Sequence, residues 1–245
     1  MKTALVTGAA KGIGRAIARA LARDPFCVAV HYRTSQVDAE ATVAAIRAAG
    51  GEAEAFQADL TVPAQVEALV KAVEQKLGPI HTLVSNAGII KSQLIAFTTL
   101  DDWRGVMIAN LDAAFLLTKA VSRSMARQKA GRIIYISSDA GLLGDLMRAA
   151  YSASKAGLSG LAKTAARELA ASGVTVNIVA PGIITTDMTA DLPETRRVKQ
   201  LAAIPLARFG TSEEVAGAVR FFASDAAGWI TGQTLCVDGG LCMHA

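Results

Sequence analysis

Short apolar runs rich in β-branched residues alternate with Ala-rich segments along the whole chain. The runs are apolar at consecutive positions, as strands are when helices cover both faces of a parallel sheet. The segments between them carry apolar residues at three- and four-residue spacing, and several end at glycine. Seven runs are predicted as strands: TALVTG, CVAVHY, EAFQAD, HTLVSNAG, RIIYISS, VTVNIVAPG and TLCVDGG.

Strand–helix–strand repetition of this kind predicts an α/β fold, with a single doubly wound parallel sheet of about seven strands and helices on both faces (Rossmann-type). No stretch of the 245 residues resembles a linker, so one domain is expected over residues 1–245. The segment at about 185–208 breaks the rhythm, because it is long and its first half is polar. Since it follows a strand end, where such sheets bind ligands, we predict a substrate lid there in preference to a passive surface loop.

The net charge and the distribution of basic residues indicate which kinds of partner the chain could bind. The net charge of +4 is mild, and no basic run is interleaved with aromatic residues, so no nucleic-acid partner is expected. One local group of cations, in RSMARQKAGR, has two interpretations: a solvated helix end, favoured by the helix dipole, or a docking surface for an acidic partner. Its members are Arg123, Arg127, Lys129 and Arg132.

The cysteines predict a reducing compartment. Cys27, Cys236 and Cys242 are odd in number and lack the spacing of a metal site, so we expect thiols and no metal. The N-terminal apolar run is too short for the core of a signal peptide, and no apolar stretch reaches ~18 residues. We therefore expect a cytoplasmic protein with no membrane span.

A glycine-rich turn, TGAAKGIG, follows the first predicted strand and precedes a helix. Glycines allow backbone N–H groups and a helix N-terminus to approach a phosphate, which predicts a dinucleotide site. Its G-x-x-x-G-x-G spacing departs from the G-x-G-x-x-G fingerprint of dinucleotide-binding proteins. The turn is therefore expected to bind a phosphate in the same way, through backbone N–H groups, without matching that motif. The expected contacts are Gly8, Lys11, Gly12, Ile13 and Gly14.

The end of the second strand indicates which dinucleotide binds. Sites that prefer NAD place a carboxylate there, on the ribose 2′-hydroxyl. This chain has Arg33 instead and no acid until Asp38, while Lys11 adds a cation in the glycine-rich turn. Two cations suit a 2′-phosphate, so NADP(H) is predicted. Further contacts are expected at the next two strand ends: Asp59, Leu60, Asn86, Ala87 and Gly88. Asp59 could accept a hydrogen bond from an adenine amino group, and the backbone beside Gly88 could lie close to a ribose. Asp59 or the NAG stretch could instead only cap the next helix.

Tyr151 and Lys155, in YSASK, stand four residues apart and would share one face of a helix. A nearby ammonium, joined by an oxidised nicotinamide, is expected to lower the pKa of the tyrosine and make it a proton donor. Ser138, at the end of the fifth strand, would hold a substrate carbonyl against it. Asn110 would bind a water that reconnects Lys155 with solvent, or would only satisfy backbone groups.

These motifs resemble the short-chain dehydrogenase/reductase family over essentially the whole chain. TGAAKGIG, NAG, Asn110, ISS, YSASK, APG and DGG occur in that family's order. The resemblance implies a homotetramer and a catalytic set of Asn110, Ser138, Tyr151 and Lys155. It also implies cofactor contacts at Tyr151, Lys155, Pro181, Gly182 and Ile184.

Within the family, the chain is most similar to bacterial 3-oxoacyl-[acyl-carrier-protein] reductases, in IPLARFG and ITGQTLCVDGG among other stretches. That similarity implies reduction of a 3-oxoacyl thioester by NADPH, as in fatty acid biosynthesis, with an acidic carrier protein docked on basic residues. Lys129 supplies one such cation, but Ser172 stands where another is expected. Leu143, Leu146 and Met147 replace a glycine-rich stretch and would reshape the pocket wall.

Two alternatives stay open from the sequence. The same chemistry could serve another small ketone or alcohol, because the lid and pocket wall decide the substrate. A catalytically silent NADPH-binding protein is the second alternative, and the presence of both Tyr151 and Lys155 argues against it.

Overall fold

One parallel sheet organises the chain. The structure is a computed structural model, which describes residues 1–185 and 194–243. In these residues the strands lie in the order β3-β2-β1-β4-β5-β6-β7, all parallel, which confirms the predicted doubly wound sheet. The strands are β1 (Lys2–Val6), β2 (Phe26–Tyr32), β3 (Glu52–Gln57), β4 (Ile80–Ser85), β5 (Gly131–Ile136), β6 (Val174–Pro181) and β7 (Thr234–Val237).

Helices cover both faces of this sheet. They are α1 (Gly12–Leu21), α2 (Gln36–Ala48), α3 (Pro63–Leu77), α4 (Leu100–Met107), α5 (Ala113–Gln128), α6 (Ala140–Leu143), α7 (Ala149–Leu169), α8 (Glu194–Ala203) and α9 (Ser212–Ala223). A π-helical turn, Ile108–Asp112, joins α4 to α5 in one continuous helix.

Two apolar layers explain why the strands do not alternate between polar and apolar residues. In β1, Ala4 and Val6 pack in the layer formed with α1, α2 and α9. Leu5, between them, packs in the opposite layer with α3, α5 and α7. Each face is buried, and burying a Val or Leu side chain is worth about 1.5–3 kcal/mol. Both sets of side chains therefore hold the strand in its central position.

The sheet order creates a crevice beside β1. The chain runs outward from β1 to β3 and then returns to β4 on the other side of β1. At such a switch point the loops after neighbouring strands diverge and leave room for a ligand at the carboxyl edge of the sheet. The segments after β1, β4 and β5 carry half of the predicted site residues.

The helix Leu100–Gln128 is long and apolar enough to cross a membrane, by length and composition. The expectation that no segment reaches this length was therefore too strict. Its inner residues, Leu117, Val121 and Met125, are fully buried in the layer shared with β4, β5 and α7. This is the position of a core helix.

The predicted lid at 185–208 is only partly described. Residues 186–193 lie outside the described part of the chain. Of the remainder, Ile184 pairs with Gly210 in an isolated bridge, and α8 lies between them in sequence. The lid stays a prediction.

Candidate active site

The turn between β1 and α1 has the form of an anion cradle. Lys11 caps α1 without a side-chain hydrogen bond, and the first turn of α1 has no acid, so its backbone N–H groups can meet an anion. Gly12 has φ +52°, and a Cβ there would meet nothing within 4 Å. A Cβ on Gly14 would lie 2.2 Å from the Gly8 carbonyl oxygen, so only glycine closes this turn. The half-buried Ile13 packs against the core. The residues present therefore fit a dinucleotide phosphate.

Thr7, which sequence reasoning missed, ties the end of β1 to the loop after β4. Its Oγ1 accepts hydrogen bonds from the backbone N–H groups of Asn86 (2.9 Å) and Ala87 (3.0 Å). The Asn86 side chain donates back to the Thr7 carbonyl oxygen at 2.8 Å and to that of Gly8 at 3.3 Å. Asn86 thus holds the two loops together. The signal in the sequence was a polar residue, Thr7, at the end of an apolar strand and directly before Gly8.

His31, also missed, supports the same turn from β2. The Gly8 N–H donates to its Nδ1 at 3.1 Å, which places the ring proton on Nε2, 3.1 Å from the Ala58 carbonyl oxygen. Burial lowers the pKa of His31 to about 4, so the ring is neutral at physiological pH. One imidazole therefore connects the ends of β1, β2 and β3.

We expect Thr7→Val to lower the free energy of unfolding by about 2 kcal/mol and to raise the KM for the dinucleotide, since two half-buried N–H groups lose their acceptor. Thr3→Val, in the same strand, is the matched control. Its hydroxyl donates only to the Leu77 carbonyl oxygen, at 2.6 Å, at the far end of β1. Urea unfolding should show both losses, but only Thr7→Val should alter the KM. An unchanged KM in Thr7→Val would contradict this role.

The two predicted 2′-phosphate cations have different surroundings. Arg33 is exposed just after β2. Lys11 pairs with Asp38, Nζ to Oδ2 3.0 Å, and Arg15 approaches the same carboxylate at 3.5 Å. Asp38, which the sequence suggested was too distant to matter, therefore engages one of the two cations.

Asp59 and Leu60 follow β3. Asp59 Oδ1 accepts hydrogen bonds from the Thr61 N–H (2.9 Å) and hydroxyl (2.7 Å), which lower the pKa of the carboxyl group. These contacts stabilise the turn before α3, but they do not cap that helix, whose N-cap is Val62 with no side-chain hydrogen bond. Leu60 is buried in the core, so only its backbone is available to a ligand. That both contact the cofactor stays a prediction.

Asn110 lies on the π-helical turn and is buried. Its Oδ1 accepts from the Ile89 N–H at 2.8 Å, and its Nδ2 donates to the Ile89 carbonyl oxygen (3.0 Å) and to Ser154 Oγ (3.0 Å). The amide therefore satisfies the backbone groups of Ile89 and also donates to a side chain, so both its donors are engaged. A water relay would have to use its main chain, where the π turn alters the carbonyl pairing.

Gly88 connects this amide with the lysine. A Cβ on Gly88 would lie 3.0 Å from Asn110 Oδ1 and 3.6 Å from Lys155 Nζ. The loop after β4, the π turn and α7 thus meet at one point.

Ser138, Tyr151 and Lys155 lie together at the carboxyl end of β5. Lys155 is buried, and its Nζ donates to the Ile136 carbonyl oxygen at 2.8 Å and lies 5.6 Å from the centre of the Tyr151 ring. Ser137 fixes α7 to β5 by donating to the Lys155 carbonyl oxygen at 3.0 Å. Ser138 Oγ donates to Asp139 Oδ1 at 2.7 Å. To donate to a substrate, that hydroxyl must turn from Asp139.

The pKa of the tyrosine differs from the expectation. Burial raises the pKa of Tyr151; Ser138 opposes this rise and Asp139 adds to it. Burial also lowers the pKa of Lys155 to about 8. The expected net lowering of the tyrosine's pKa is therefore wrong for the groups of the chain alone, because desolvation outweighs the opposing effects of the Ser138 hydrogen bond and the Arg148 charge. Tyr151 is consequently protonated at neutral pH, as a proton donor must be.

The segment after β6 borders the crevice through its backbone. The Pro181 carbonyl oxygen accepts from the Asp139 N–H at 2.9 Å, and the Gly182 N–H donates to the Val237 carbonyl oxygen at 3.0 Å. Ile184 packs its side chain in the core. Pro181 and Gly182 therefore lie beside the Ser138–Asp139 turn, while Ile184 can offer only its backbone.

Three exposed apolar residues lie at the end of α6 and in the connection to α7: Leu143, Leu146 and Met147. The Met147 carbonyl oxygen accepts a backbone hydrogen bond from Gln93 at 2.6 Å, which joins this connection to the loop after β4. That these residues form the pocket wall stays a prediction.

The proposed docking cations do not form one surface. Arg123, Arg127 and Lys129 are exposed at the end of α5. Arg132 is buried in β5, where its guanidinium lies 3.8 Å from Asp225. Including Arg132 was wrong, because β5 begins at Gly131 and carries the next residue into the sheet. We call the remaining three residues the α5 cations.

Known proteins resemble this chain along its length. A 3-oxoacyl-[acyl-carrier-protein] reductase of Synechocystis sp. is 51% identical over 243 residues, 99% of this chain and 97% of that protein. Proteins named 3-oxoacyl-[acyl-carrier-protein] reductase FabG are 46% identical in Staphylococcus epidermidis, over 99% of each chain, and 43% identical in Escherichia coli, over 99% of this chain and 98% of that protein. The family description "short chain dehydrogenase" matches residues 2–197. The chain therefore belongs to the short chain dehydrogenase family.

Proposed function

We propose that this chain reduces the ketone of a 3-oxoacyl thioester to the 3-hydroxyacyl form with NADPH, as in fatty acid biosynthesis. The observation that carries the proposal is the meeting of Ser138, Tyr151 and Lys155 beside a glycine-rich cradle that fits a dinucleotide. Relatives named for this activity are 43–51% identical over nearly the full chain. A bound NADPH would supply the hydride.

The chain's own residues handle the proton. Tyr151, protonated at neutral pH, donates to the ketone oxygen as it gains negative charge. Ser138 holds that oxygen by a second hydrogen bond once its hydroxyl turns from Asp139. Lys155, with its charge held in the crevice by the Ile136 carbonyl oxygen, stabilises the phenolate that remains. The same ammonium would hold the nicotinamide ribose of a bound cofactor.

NADPH is favoured over NADH by Arg33, since the exposed guanidinium can bind a 2′-phosphate while Asp38 is already occupied by Lys11 and Arg15. We expect Arg33→Ala to raise the KM for NADPH by about 10- to 100-fold, the value of a hydrogen bond to a charged group. The KM for NADH should stay unchanged.

Arg19→Ala is the control for this cofactor prediction, because Arg19 is an exposed arginine at the other end of α1. It should leave both KM values as they are. If Arg33→Ala changed the KM for NADPH and NADH equally, Arg33 would not read the 2′-phosphate.

The acyl substrate is proposed to arrive on an acidic carrier protein that docks at the α5 cations. A panel assay tests the substrate class, with equal concentrations of carrier-linked and coenzyme-A-linked 3-oxoacyl groups and of free ketones. The proposal predicts the highest kcat/KM for the carrier-linked substrate and a loss of that preference in Arg123→Glu/Arg127→Glu.

A free ketone that turned over fastest would favour the alternative of another small carbonyl substrate. NADPH binding without turnover across the panel would indicate a silent binding protein.

A homotetramer and a cytoplasmic location are proposed on the family resemblance. The outer face of the α4–α5 helix leaves Phe115 half exposed, which is compatible with burial between subunits. Light scattering of the purified chain would give its mass directly.

A further inference from the structure

Two of the three cysteines come together at the end of β7. Cys236 lies in β7, and the chain then turns through Asp238, Gly239 and Gly240 and returns at Cys242. Both glycines have positive φ, +67° and +88°, which makes the reversal tight. The thiols hydrogen-bond to each other, although five residues separate them in sequence. The spacing alone had suggested no metal site.

A carboxylate completes the group. The ligand atoms of Cys236, Asp238 and Cys242 all lie within 4.8 Å of one another. Among the described residues, these three side chains are close enough together to hold a metal ion. A tetrahedral zinc ion needs its ligands at about 2.0–2.3 Å, hence roughly 3.3–3.8 Å from each other. Shifts of about an ångström would therefore close the three onto one ion. We call them the cysteine cluster.

Backbone groups hold the carboxylate in position. The Gly240 N–H donates to Asp238 Oδ1 at 2.9 Å, and the Cys242 N–H donates to Oδ2 at 2.8 Å. Each oxygen keeps a second lone pair for a metal, and hydrogen bonds of this kind orient ligands in metal sites. Cys236 and Asp238 are half-buried and Cys242 is buried, so an ion can enter from one side.

We propose that the cysteine cluster is a binding site for a thiophilic divalent cation of the Zn²⁺ type, with two thiolates and one carboxylate as protein ligands and water as the fourth. Binding displaces one proton from each thiol. Two thiolates select soft or borderline metals over Mg²⁺ and Ca²⁺.

The position of the carboxylate favours a bound cation. Ligand atoms of Asp238, Cys236 and Cys242 lie within 4.8 Å of one another. A divalent cation would supply the positive charge that stabilises two thiolates beside this carboxylate.

The test uses the full, reduced, metal-free chain titrated with Co²⁺ and then with competing Zn²⁺. We expect one equivalent of Co²⁺ to give the visible band of tetrahedral thiolate coordination and Zn²⁺ to remove it. Cys236→Ser and Cys242→Ser should lose stoichiometric binding. Asp238→Asn should weaken binding by at least the roughly 10- to 100-fold that follows loss of a supporting group.

Cys27→Ser is the matched control, since Cys27 is a buried thiol in β2, away from the cluster. It should bind one equivalent as the unmodified chain does. Binding that is no tighter in the unmodified chain than in Cys236→Ser/Cys242→Ser would overturn the proposal. So would a Cys236–Cys242 disulfide that forms readily with hydrogen peroxide in a chain that binds no metal when reduced.

A second measurement uses only the unmodified chain and so does not depend on whether a cysteine variant folds. In the unmodified chain, Zn²⁺ should protect Cys236 and Cys242 from alkylation by iodoacetamide, as read by mass spectrometry, while Mg²⁺ should not. Equal alkylation with and without Zn²⁺ would contradict the site.

Discussion

Replacing Tyr151 with phenylalanine is expected to lower kcat for the reduction of a 3-oxoacyl thioester by about 10²–10⁴-fold, the contribution of a positioned proton donor. The substitution removes one oxygen from a half-buried ring and leaves the ring beside Lys155. Since the cradle is formed by β1 and α1, binding of NADPH should persist. Stopped-flow oxidation of NADPH and a separate fluorescence titration give the two quantities.

Tyr135→Phe is the matched control for loss of a phenol. Tyr135 is buried in β5, its hydroxyl lies 2.6 Å from Thr118, and its side chain packs in the layer away from the crevice. This variant should lose about 1 kcal/mol of stability and keep its kcat. A Tyr151→Phe variant with unchanged turnover would show that another group donates the proton.

Lys155→Met is expected to lose at least about 10²-fold in kcat and yet to unfold less readily at pH 7. Burial lowers the pKa of Lys155 from 10.5 to about 8, so keeping the ammonium charged in the crevice costs roughly 3 kcal/mol. The hydrogen bond to the Ile136 carbonyl oxygen stabilises the folded chain by about 1 kcal/mol and offsets part of this cost. A methionine of similar length should therefore stabilise the fold by about 2 kcal/mol, as measured by urea unfolding.

The pH dependence of that difference follows from linkage. Below pH 8 the lysine is protonated in both the folded and the unfolded chain, and the full cost is present. Between about pH 8 and 10.5 the unfolded chain binds more protons, so the stability of the unmodified protein gains with rising pH. The advantage of Lys155→Met should shrink through this window and vanish above it.

Lys163→Met, an exposed lysine two turns farther along α7, should change stability by no more than about 0.5 kcal/mol and leave kcat unchanged. A Lys155→Met variant less stable than the unmodified chain at pH 7 would mean that the buried ammonium stabilises the fold.

The sheet could be predicted from the sequence because short, β-branched apolar runs alternate with longer amphipathic segments along the whole chain. All seven predicted runs are strands, and the glycine-rich turn, Ser138, Tyr151 and Lys155 lie at the carboxyl edge as expected. Because the carboxyl ends of parallel strands lie at one edge of the sheet, motifs at strand ends come together once the topology is known.

Features that depend on side chains meeting across elements could not be predicted. Asp38 reaches Lys11 because α2 packs beside α1, and His31 supports Gly8 across a strand boundary. Arg132 was assigned to the surface because its neighbours in sequence are cations, whereas β5 buries it. The raised pKa of Tyr151 is likewise a result of burial, which local spacing does not report.

The cysteine cluster shows the same limit for metal sites. The spacing of Cys236 and Cys242 matches no common ligand pattern, and the thiols meet because two residues with positive φ reverse the chain. The folded chain, and not the sequence spacing, brings the three side chains together.

Hydride transfer tests the central claim most directly. The unmodified chain would be mixed with NADPH carrying deuterium at the transferable position of nicotinamide C4 and with a 3-oxoacyl thioester, and the product analysed by mass spectrometry. We predict one deuterium on carbon 3 of a 3-hydroxyacyl thioester for each NADPH oxidised. A thioester recovered without deuterium, with the NADPH bound but not oxidised, would contradict the account.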